Sequence, residues 1–155
     1  MSKFQIIIRK FWIKVEKPIW SFIVNLFFWI GHLNEIGEIR EIKDSLKYIN
    51  IETMLQRFLW KKDNLADWTP WVYTIIYQDF TYDCDGAANL AKWWFKQNGI
   101  KADIFNLYSA TEGHTICVTK DRMRMVTNER VVHLFTETWE SDILRYVNDK
   151  YKVII

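Results

Sequence analysis

The segment from Ile19 to Leu33 (IWSFIVNLFFWIGHL) constrains this chain most, because eleven of its fifteen residues are large and apolar. So much apolar surface has to be taken out of water, by protein or by lipid. Ahead of it, residues 1–20 carry Lys3, Arg9, Lys10, Lys14 and Lys17 against Glu16 alone. A basic flank before an apolar run is the signature of a signal peptide or a membrane anchor. Length opposes a span, since fifteen helical residues reach roughly 22 Å against the roughly 30 Å of a hydrocarbon core. Extending the run backwards meets Lys17, Glu16 and Lys14, and no small-residue cleavage site follows at Asn34-Glu35-Ile36-Gly37-Glu38. The favoured expectation is a helix buried on most of its surface, with Pro18 in its first turn. The alternative is an interfacial membrane helix, for which Trp12, Trp20 and Trp29 suit the headgroup boundary. A cleaved signal ranks third.

The rest of the composition narrows the class. The chain has 155 residues, one domain's worth, enough to bury a core without staples. Half of it is apolar and 26% is charged, which excludes disordered and low-complexity classes. Five Gly and two Pro argue against a turn-rich β-sandwich or barrel. Two Cys make no disulfide framework, and with His32, His114 and His133 they show no metal-ligand spacing. No metal or other cofactor is expected. A net charge of +2 is too small to imply a nucleic-acid partner.

Periodicity gives the elements. Residues 4–8 read as a strand or a helix start, and 18–31 as a helix. Ile39, Ile42, Leu46 and Ile49 step by three and four, as in an amphipathic helix over 38–49. Asn50 caps a further helix, whose stripe is Ile51, Met54, Leu55, Phe58 and Leu59. Residues 65–71 form a loop, and 72–80 a short helix or an extended segment. Residues 84–98 form a helix that Gly99 ends as a left-handed cap. Strands follow at 101–108, 113–119 and 124–134, then a helix at 139–147 and an edge strand at 151–155. Helices come first and antiparallel strands later, so the fold class is α+β rather than alternating βαβ.

Chemistry concentrates at Tyr82-Asp83-Cys84-Asp85-Gly86-Ala87-Ala88. Asp83 stands at an N-cap position, which puts Cys84 in the first helical turn, where the dipole and free N–H groups favour a thiolate. Asp83 and Asp85 work against that by raising the thiol's pKa. A cysteine nucleophile needs a base, and His114 opens a strand thirty residues on. If Lys120-Asp121-Arg122 is a three-residue hairpin loop, residue 114 pairs with Asn128. An amide directly opposite, about 5 Å away at Cβ, orients the imidazole. A loop one residue longer or shorter puts Asn128 on the other face. Gln78 and the Cys84 backbone N–H are candidate oxyanion donors, with Tyr77 and Tyr82 as competitors. Each residue also has a structural reading: Cys84 as packing, His114 as a hydrogen-bonded strand residue, Asn128 as a strand end and Gln78 as surface. Cys117, between Ile116 and Val118, reads as core.

Asp67-Trp68-Thr69-Pro70, the Asp83-Cys84-Asp85 helix start, Gly99 before a strand, Gly113-His114 and Val126-Thr127-Asn128 together resemble the bacterial transglutaminase-like cysteine peptidases. The resemblance covers about residues 63–130. It implies a papain-like core over residues 63–155, in which the Cys-bearing helix packs on a small antiparallel sheet, with residues 1–62 as a helical extension. It also implies Cys84 as nucleophile, His114 as base and Asn128 as orienting residue. Tyr82 replaces the family's Gly, Gly86 replaces its second acid after the Cys, and Asn128 stands where Asp is commoner. Losing that acid removes the basis for a calcium requirement.

The resulting expectation is a thiol-dependent amide hydrolase or acyl transferase, first a cysteine peptidase acting on a protein or peptide substrate. The rival is a non-catalytic binding or structural protein on the same fold, virion- or membrane-associated. Residues 1–33 are the expected surface for contact with a membrane or partner protein. The expected location is cytoplasmic or virion-associated, with membrane association left open. The aromatic residues around Cys84, from Trp68 to Phe95, read as groove walls or as core.

Overall fold

The computed structural model describes residues 3–61, 68–109, 112–128, 130–134, 139–146 and 153–154. It is an α+β fold built on a five-stranded antiparallel sheet of order β6-β5-β4-β3-β7. The strands are β3 (Ala102–Tyr108), β4 (Gly113–Thr119), β5 (Arg124–Thr127), β6 (Arg130–His133) and β7 (Val153–Ile154). A separate two-stranded parallel ladder joins β1 (Leu59–Trp60) to β2 (Thr81–Tyr82).

The first helical element is continuous in three parts: α1 (Lys3–Phe11), a π-helical turn (Trp12–Glu16) and α2 (Lys17–Gly31). After a 3₁₀ turn come α3 (Ile36–Leu46) and α4 (Ile51–Leu55), the latter capped by Asn50, whose side chain accepts from the Glu52 N–H at 2.8 Å. The expected helix over 51–59 stops early because residues 59 and 60 pair with β2 instead. α5 spans Val72–Tyr77 and α6 spans Cys84–Gln97. α6 has both expected ends, with the Asp83 carboxylate accepting from the Asp85 N–H at 3.0 Å and Gly99 at φ +72°. α7 spans Trp139–Tyr146.

Strand alternation separates two cores. Ile104, Cys117, Val126 and Val131 face α6, whose Ala87, Ala88, Ala91 and Phe95 pack against that side of the sheet. Leu107, Ile116, Val118 and Met125 face the other way and meet Leu134 and Ile143 of α7. α3 and α4 add Ile39, Leu46, Met54 and Leu55 to the α6 core, and Phe58, which follows them, adds its ring, across the boundary expected at residue 62. The single strand expected over 124–134 is a hairpin, with Thr127 paired to Arg130. Asn128 takes φ +50°, the left-handed conformation that a tight two-residue hairpin turn demands and that Asn tolerates.

The apolar run reverses the favoured expectation. α2 does not bury most of its surface: its buried residues are Lys17, Ser21 and Asn25, at i, i+4 and i+8, while Ile19, Trp20, Phe22, Phe27, Trp29 and Ile30 are exposed. Among the described residues no helix is long and apolar enough to cross a membrane.

Candidate functional site

Cys84 opens α6 as the sequence predicts, and it is half-buried. Burial, then Asp85, then Asp83 push its thiol up to about 12, and the Thr115 backbone N–H only partly offsets them. The contest between the helix end and the two flanking carboxylates is decided by desolvation, which disfavours the thiolate. A sequence shows the charges but not the burial.

Neither His114 nor Asn128 is arranged as a triad needs. The register pairs Cys117 with Val126 and Val118 with Met125, so its continuation sets Thr115 opposite position 128. That is one residue away from the register the triad requires. His114 pairs with Leu107, on the sheet face that carries Ile116 and Met125. Its Nε2 lies 2.7 Å from the Thr127 hydroxyl on that same face. Cys84 belongs to the helix on the opposite face. Asn128 forms the β5–β6 turn, and its Oδ1 is buried with no hydrogen-bond partner among the described residues, so it does not accept an imidazole proton. Gln78 caps the end of α5 and is exposed, followed by left-handed Asp79 (φ 50°) and Phe80 (φ 58°).

The groups that do meet at this end of α6 form a buried polar network. The Asp85 carboxylate takes a hydrogen bond from the Lys17 ammonium on one oxygen and from the Thr115 hydroxyl on the other. The ion pair is nearly inaccessible, with side chains 8% and 3% exposed. Thr115 Oγ1 also lies 3.0 Å from the Asn106 side-chain amide. One hydroxyl has one proton, so with Asp85 ionised that proton goes to the carboxylate and the amide turns its NH₂ toward the hydroxyl oxygen. A pocket of about 240 Å³ opens beside these residues, lined also by Ile13, Ser21, Thr69 and Ile104.

The sequence alone does not show this network, because Lys17, Asp85, Asn106 and Thr115 are distant in the chain. The one available signal was the polar spacing within the apolar run. Lys17, Ser21 and Asn25 fall at helical intervals of four, so they share one face. Asn25 is the anchor further along that face. Its Nδ2 donates to the carbonyls of Ser21 (2.6 Å) and Thr69 (2.9 Å), and its Oδ1 accepts from the Trp71 N–H (2.6 Å) and the Thr74 hydroxyl (2.8 Å). Every donor and acceptor of that amide is used.

The two departures at the helix start are linked. A Cβ on Gly86 would lie 2.5 Å from Tyr82 Cβ and 3.3 Å from the Phe58 ring. Tyr82 therefore requires Gly at position 86, and the acid expected there has no room. Most of the aromatic residues around Cys84 are core: Phe80, Tyr82 and Phe95 are buried, and Trp68, Tyr73, Trp93 and Trp94 pack against them.

No protein-family model, curated protein or solved structure matches the chain, so its place rests on the arrangement of its own residues.

Proposed function

We propose that the chain is a non-catalytic binding protein whose α+β core serves as a rigid platform for the α1–α2 helix. The observation that carries this reading is the register of β4, with His114 on the sheet face opposite the helix that bears Cys84. A thiol nucleophile without a base is activated only by a depressed pKa, and the Cys84 thiol is raised to about 12. The residues that surround it, Asp85 with Lys17 and Thr115, fasten the long helix to α6.

The thiol-hydrolase reading retains one supporting observation, the placement of Cys84 in the first turn of α6 behind a capping Asp. Alkylation separates the two readings. In the binding protein, iodoacetamide labels Cys84 slowly near neutral pH, and the rate climbs about tenfold per pH unit with no plateau through about pH 9. Fast labelling of Cys84 with a midpoint below about pH 8, lost in a His114→Ala variant, would restore the catalytic reading.

A further inference from the structure

From the outward face of α1–α2 we infer that this helix lies flat in the interface of an anionic lipid bilayer. The inference deepens the binding reading by naming its partner, and it rests on that reading.

α2 is inverted relative to an ordinary surface helix. Its polar side chains face the protein, where Lys17 meets Asp85 and Asn25 meets Thr69, Trp71 and Thr74. At 100° per residue, Ile19, Trp20, Phe22, Phe27, Trp29 and Ile30 spread over the opposite half of the cylinder, and all six are exposed. α1 continues the pattern with Phe4, Ile7, Ile8 and Phe11 exposed. Phe27 and Phe4 are 72% and 70% accessible. Soluble monomers rarely show contiguous apolar patches above a few hundred Å², so this face is built for a non-aqueous neighbour.

Charge selects the neighbour. Lys10 and Lys14 are exposed along α1 and the π turn, and Arg9 lies over the Tyr108 ring, 4.5 Å from its centroid. Glu16 is the only acid before Glu35. A second copy would meet this face with the same basic, acid-poor surface. An anionic headgroup layer supplies the missing negative charge, at about 1 kcal/mol per surface cation. Trp20 and Trp29 present amphipathic rings of the kind enriched at that depth. The outward arc of α2 carries no charge, which suits burial of one face to about 5–10 Å.

The test is flotation of the full chain with vesicles of phosphatidylcholine alone and of phosphatidylcholine with about 30% phosphatidylglycerol. The expected result is binding to the anionic vesicles that weakens with salt. Lys10→Gln with Lys14→Gln should lower partitioning about thirtyfold. Phe22→Asp with Phe27→Asp should abolish it while the far-ultraviolet circular dichroism stays unchanged, since both side chains are exposed. Absence of flotation with either composition overturns the lipid partner, as does binding that survives the Phe22/Phe27 pair. A concentration-dependent dimer that the Phe22/Phe27 pair dissolves, in a chain that ignores vesicles, assigns the face to a second copy. In those cases slow Cys84 labelling would leave the non-catalytic reading standing without this partner.

Discussion

Helices α2 and α6 meet at Lys17 and Asp85, yet opposite chemistry holds them in place. α6 turns Ala87, Ala88, Leu90, Ala91 and Phe95 inward, each no more than 1% exposed. α2 turns Lys17, Ser21 and Asn25 inward and leaves Ile19, Trp20, Phe22, Phe27, Trp29 and Ile30 exposed. Apolar burial is non-directional and scales with area, so it drives α6 onto the sheet. Hydrogen bonds and an ion pair are directional and give little net stability, since both sides surrender water to form them. α6 is therefore held by amount of contact and α2 by its geometry. Only the second arrangement leaves a whole apolar face available for another surface.

Phe95→Ala should have the largest effect, about 4 kcal/mol, because it removes a fully buried ring and leaves a cavity. Urea unfolding should show a lower midpoint with an unchanged slope. A loss below about 1.5 kcal/mol would mean that the core relaxes around the site and that α6 is not anchored as described. Asp85→Ala comes next, at about 3 kcal/mol, because it strands the Lys17 ammonium in a buried site. The paired change Lys17→Met with Asp85→Leu should recover most of that loss. If the pair is as unstable as the single variant, the ion pair contributes more than geometry, and the contrast between the helices softens. Phe27→Ser should be the smallest, within about 0.5 kcal/mol, since an exposed side chain away from partners has little to lose. A cost near 2 kcal/mol would show that Phe27 is covered in the isolated chain, which would remove the distinction between the two helices.

The fold was legible wherever local chemistry and packing agree. The Asp83 cap, the Ala-rich face and Gly99 delimit α6 to within a residue. The aromatic and β-branched residues of β3 and β4 give strands at the expected positions. The site was legible only at Cys84. Between His114 and Asn128 the outcome hung on one residue of hairpin register, and a slip of one exchanges the two faces of a strand. Position 128 also carries a backbone demand, the left-handed turn between β5 and β6, that a side-chain pattern does not display.

The amino-acid order by itself determined that residues 18–31 are helical, that the apolar run 19–33 is too short to span a bilayer, that Lys17, Ser21 and Asn25 fall at helical spacing, and that Cys84 opens a helix. It did not determine which face of α2 turns inward, because hydrophobicity alone would bury the other one. That was decided in three dimensions, where Asp85, Thr69, Trp71 and Thr74 present complementary donors and acceptors to the polar stripe. The same packing partly desolvated the Cys84 thiol and raised its pKa. Desolvation and the pairing of buried polar groups depend on everything that surrounds an atom, and those surroundings come from segments tens of residues apart.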